Sequence, residues 1–104
     1  MNDRELLELA ARAAGIDPVL AEPINFSTGV EYYWNPRDDD GDALRLAVKL
    51  RFDISVEREI QVSWWQGESL ETVTWPLGDD PFAAARYAIV RAAAEIGKSM
   101  GGGE

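Results

Sequence analysis

The chain contains neither cysteine nor histidine. The first absence excludes a disulfide framework, thiolate chemistry and a zinc site built on sulfur; the second removes the commonest general base and metal ligand. Positive charge is also scarce. Ten Lys and Arg face nineteen Asp and Glu, a net charge of −9, and such a field repels nucleic-acid backbones and anionic membrane surfaces while favouring basic or neutral protein partners. No apolar run approaches the roughly 20 residues of a membrane span, and the opening Met1-Asn2-Asp3-Arg4-Glu5 lacks the basic-then-apolar order of a signal peptide. A soluble protein of the cytoplasm is the expectation.

What is present suits one domain over residues 1–99: 104 residues with 46% hydrophobic content can bury a core without covalent or metal staples. Residues 100–104 end in Gly101-Gly102-Gly103-Glu104, with no side chains to bury, and are expected to be disordered. The chain is organised around Trp34 to Leu50. Asn35-Pro36 is a turn-initiating pair that ends an extended segment. Asp38, Asp39, Asp40 and Asp42 then fall where a helix start has unpaired N–H groups and a positive dipole end, and Lys49 and Arg51 fall at its negative end. Leu44, Ala47 and Val48, with Leu46 and Leu50 beside them, predict a wide apolar face, leaving Arg45 and Lys49 wetter.

Upstream, Asn2 and Glu5 form a capping-box pair, and Leu6, Leu7, Ala10, Ala13 and Ala14 recur at helical spacing up to Gly15, which suits a left-handed cap. The pattern predicts a helix over Asp3 to Ala14. Ile24, Phe26, Val30, Tyr32 and Trp34 share parity, so a hairpin turning at Ser27-Thr28-Gly29 would put them on one face and Tyr33 on the other.

Downstream, Phe52, Ile54, Val56, Ile60, Val62 and Trp64 share parity about a Glu57-Arg58-Glu59 loop. Gln66-Gly67-Glu68-Ser69 places glycine first in a type II′ turn. The two turns independently predict pairs 56 with 60, 54 with 62, 65 with 70, 62 with 73 and 60 with 75. Their agreement gives a three-stranded antiparallel meander whose apolar face is Phe52, Ile54, Val56, Ile60, Val62, Trp64, Val73 and Trp75. Its other face is Asp53, Ser55, Gln61, Ser63, Trp65, Leu70, Thr72 and Thr74. Asp80-Pro81 then opens a helix to about Ser99 through Phe82, Ala85, Ile89, Ala93 and Ile96. The expected class is α/β of the α+β type, with an antiparallel sheet of three to five strands packed with three helices.

Four strings carry a family likeness: Trp34-Asn35-Pro36, Asp38 to Leu50, Asp79-Asp80-Pro81 with Ala88 to Gly97, and the opening Arg4 to Ala11. Together they resemble the phage ABA sandwich domain, a family of small phage and prophage proteins. The likeness covers nearly the whole chain except its strand-rich middle. It implies a phage or prophage origin, in a bacterial host cell, and helices on both sides of a sheet; it brings no biochemical activity and no site residue.

The candidate sites are few. An EF-hand register through Gly41 would put Pro36 at the first ligand and Ala47 at the bidentate position, so the aspartates predict a helix cap and no metal. Both helix starts carry carboxylates, which repel phosphate. Arg45, Arg86 and Arg91 are the residues that could instead hold an anionic, nucleotide-like small ligand. The paired carboxylates Glu57 with Glu59 and Asp79 with Asp80 sit at turns or caps, where catalysis is not expected, and nothing implies a cofactor. Among the aromatics, parity sends Trp34, Trp64 and Trp75 to the core and leaves Trp65 and Tyr33 on polar faces. Trp65, Leu70 and Tyr33 are therefore the predicted contacts for a protein partner or a second copy of the chain. The functional expectation is a non-enzymatic accessory protein that acts by protein–protein interaction, with a small-ligand binder as the alternative.

Overall fold

A computed structural model describes residues 2–15 and 34–100. Helix α1 (Asp3–Ala14) starts with a complete capping box: the Asn2 side chain accepts from the Glu5 N–H at 2.8 Å, and the Glu5 carboxylate accepts from the Asn2 N–H at 3.0 Å. It stops at Gly15, whose φ of 73° is the left-handed conformation that glycine adopts without steric cost. Leu6, Ala10, Ala11 and Ala14 form its buried stripe. The hairpin expected over residues 24–34, with Tyr33, lies outside the described residues except for Trp34, which is buried.

Helix α2 (Asp40–Lys49) begins two residues later than Asp38, with Asp39 as its N-cap. Its end is a Schellman motif in which the Arg51 N–H donates to the Val48 carbonyl and the Phe52 N–H to the Ala47 carbonyl. The residue in the left-handed position there is Arg51, at φ 60°, where glycine is usual. The buried face is Ala43, Leu46 and Ala47, whereas Leu44 and Val48 are exposed. That corrects the wide apolar face expected for this helix: α2 meets α3 along a narrow line, and Leu44 and Val48 sit about 100° further round the cylinder.

Strands β1 (Asp53–Val56), β2 (Glu59–Gln66) and β3 (Ser69–Pro76) form an antiparallel sheet in the order β1-β2-β3. The register pairs Val56 with Ile60, Ile54 with Val62, Ile60 with Trp75, Val62 with Val73 and Trp65 with Leu70, each as expected. Gly67 has φ 65° in the second turn, as the first central residue of a type II′ turn must. Three strands are present among the described residues; a fourth and fifth are not.

Helix α3 (Pro81–Met100) is capped by Asp80, whose carboxylate accepts from the N–H groups of Phe82 and Ala83, both at 3.1 Å. It runs one residue past Ser99, so Met100 is helical rather than part of a tail, and residues 101–104 lie outside the described residues. α3 is the hub of the fold, packing on α1, α2, β2 and β3. A helix with neighbours on several sides needs small residues around much of its circumference. Ala84, Ala88, Ala92, Ala93, Ala94 and Gly97 are all buried. At Gly97 a β-carbon would run into the Leu9 carbonyl, so only glycine permits α1 and α3 to approach so closely.

The sheet meets this hub unevenly. Ile60, Val62 and Trp64 of β2 are buried, and Phe52, Val73 and Trp75 are partly so. Burying side chains like Ile60 and Val62 contributes about 1.5–3 kcal/mol each, which makes β2 the strand that anchors the sheet. Ile54 and Val56, expected in the same buried set, are exposed by 39% and 59%. The correction has a spatial cause: α3 lies over β2 and β3, and β1 hangs beyond it.

Candidate functional site

Alternation along β2 and β3 builds the sheet's second face. Trp65 lies opposite Leu70 beside the Gln66-to-Ser69 turn, Ser63 opposite Thr72 and Gln61 opposite Thr74. The Ser63 and Thr72 hydroxyls share a hydrogen bond of 3.1 Å, which ties the centre of this face without adding charge. Trp65 is 66% exposed and Leu70 52%. Gln61, Thr72 and Thr74 are exposed as well. The helix cover on both faces that the family resemblance implied is thus absent from this face among the described residues, and the α+β class stands with cover on the other face. A large exposed indole beside an apolar cross-strand partner, set among Ser, Thr and Gln with Asp53 as the charge on β1, is a composition that interfaces favour.

The aspartates that could have held a cation are spent on structure. Asp39 accepts from the Asp42 N–H at 2.8 Å. Asp42, itself buried, accepts from the Asn35 N–H at 2.9 Å and from the Arg45 guanidinium at 2.8 Å. Asp38 accepts from the Asn35 side-chain amide at 2.9 Å, and Asp40 pairs with Arg86 at 2.5 Å. Among the described residues no group of three or more acidic side chains could hold a metal ion.

The three arginines nominated for an anionic ligand are not brought together. Arg45 pairs with Asp42 on α2. Arg86 bridges Asp40 and the Arg37 carbonyl, and the hollow of about 410 Å³ beside it is rimmed by Asp38, Asp79 and Asp80, which would repel an anion. Arg91 faces Glu95 at 3.8 Å on a different side of α3. Of the carboxylate pairs, Glu57 is exposed in the β1–β2 turn, Glu59 is exposed at the start of β2, and Asp80 is the α3 cap.

Sequence reasoning missed one feature, a groove of about 590 Å³ between β3 and α3 lined by Trp64, Glu71, Val73, Trp75, Arg91 and Glu95 among others. Its signal was available in part: Glu71 has the parity of the apolar face, a charge where a fully packed strand would carry an apolar side chain. Searches against protein-family models, curated proteins and solved structures give no match to this chain, so the likeness to the phage ABA sandwich domain rests on the sequence strings alone.

Proposed function

We propose that this chain is a non-enzymatic accessory protein, phage- or prophage-encoded as its sequence strings suggest, that works by binding another protein through the open face of its sheet. The observation that carries the reading is the exposed Trp65–Leu70 pair on that face. Burying such a pair in an interface supplies apolar free energy at little cost in conformational freedom, because a tryptophan has only two side-chain torsions to fix. The net charge of −9 selects basic or neutral partners and slows encounter with acidic ones.

Self-association is the form of this reading that can be examined with the chain alone. Sedimentation of wild type and Trp65→Asp, with acrylamide quenching of tryptophan fluorescence, is the test. A concentration-dependent dimer that Trp65→Asp dissolves identifies a second copy as the occupant. A monomer with a quencher-accessible Trp65 leaves the face free for a different protein. A monomer in which every tryptophan is shielded overturns the proposal.

A further inference from the structure

We infer that the groove between β3 and α3 takes an extended peptide segment bearing lysine or arginine, which adds to the edge of β3 as a further strand. The inference rests on the protein-binding reading and names the chemistry of the partner segment.

Three observations converge. β3 has a strand neighbour on one side only among the described residues, so its outer row of N–H and C=O groups is a template for another strand. The groove beside that edge has two walls of equal reach. Arg91, Glu95 and Ser99 stand at successive i, i+4 positions on α3, spanning about 12 Å. Glu71 to Trp75 on β3 spans about 14 Å. Both lengths match about four residues of extended chain. Side-chain contacts tie the two walls together: Trp75 packs on Tyr87 with ring centroids 4.4 Å apart, and Gln66 donates to the Ser99 hydroxyl at 3.1 Å. The third observation is charge. Among the described residues Glu71 and Glu95 line the groove against one cation, Arg91, which is already turned to Glu95. Trp64, Val73 and Trp75 add apolar surface to its lining. A strand placed there alternates its side chains, one set entering the groove to meet Glu71 and Glu95, the other lying beside Leu70, Thr72 and Thr74 on the open face.

A displayed library of random ten-residue peptides, selected on the intact chain, tests the inference. Selected peptides should be rich in Lys and Arg at alternate positions. Their binding should slow hydrogen exchange of β3 amides. Methylating alternate peptide nitrogens should abolish binding for one of the two phases, because only one set of amides faces β3. Reversing the groove charge with Glu71→Lys and Glu95→Lys, both at partly exposed sites, should weaken binding roughly tenfold or more while the circular dichroism spectrum stays that of wild type. Leu44→Ser, at an exposed position of α2 outside the groove lining and the open face, should leave peptide affinity within about twofold. No enriched peptide, or enriched peptides that ignore the charge reversal and protect no β3 amide, overturns the inference. The same negative peptide result with self-association still dissolved by Trp65→Asp overturns the groove inference and leaves the open-face reading standing.

Discussion

The same two strands, β2 and β3, make both faces of the sheet, yet one face is covered and the other is not. Trp64 and Trp65 are adjacent in the chain and chemically identical, but Trp64 is 5% exposed and Trp65 66%. The pleat alone separates them. On the covered side α3 lies over Ile60, Val62 and Trp64, and the helix itself is hemmed in by α1 and α2. On the open side there is a short row of Ser, Thr and Gln with one aromatic. The difference teaches that packing divides by parity: substitutions at Ile60, Val62 and Trp64 act on folding, and under the proposed reading those at the odd positions of β2 act on binding.

The largest effect should come from that tryptophan pair. Trp64→Ala is expected to lose about 3–5 kcal/mol of unfolding free energy in urea melts, and Trp65→Ala less than about 1 kcal/mol. Equal, large losses in a monomer would erase the distinction between the faces. Next is Gly97→Ala, which forces a β-carbon against the Leu9 carbonyl. It should destabilise by about 1–3 kcal/mol although alanine is the better helix former; a stabilised variant would mean that α1 does not hold this position.

Asp39→Ala removes the α2 N-cap and should cost about 1 kcal/mol, with little change on adding calcium or magnesium to either protein. Calorimetry showing micromolar cation binding that depends on Asp40 would instead make the aspartates a ligand site. The smallest effect has the opposite sign. Arg51→Gly relieves a left-handed residue at the end of α2 and should raise stability by up to about 1 kcal/mol, which thermal denaturation can resolve.

Much of this architecture could be read from local chemistry. The Asn2–Glu5 box, the Asp80-Pro81 start and the Gly67 turn act over three or four residues, so each was legible without knowing the rest. The two hairpin turns then fixed the register and the placing of Trp64, Trp65 and Leu70. Coverage was not legible in the same way. Periodicity shows which side chains share a face, but the extent of that face which a neighbour covers depends on the position of α3, and so Ile54, Val56, Leu44 and Val48 came out exposed. The groove was hidden for the same reason, because it is a gap between an edge strand and a helix that are distant in the chain. The family resemblance stopped at the strands, where the candidate surface lies.

The meeting of Leu9 with Gly97 joins segments from opposite ends of the chain, whereas the two hairpins close over a few residues. During synthesis α1 leaves the ribosome long before the surface that it packs on exists, and a 12-residue helix is marginal on its own in water. The meander and the α2 cap can form early from local contacts, while docking of α1 must close the longest loop in the molecule. Docking of α1 on α3 is therefore expected to follow the hairpins in folding, and a chain that lacked α3 would leave Ile60, Val62 and Trp64 without their cover.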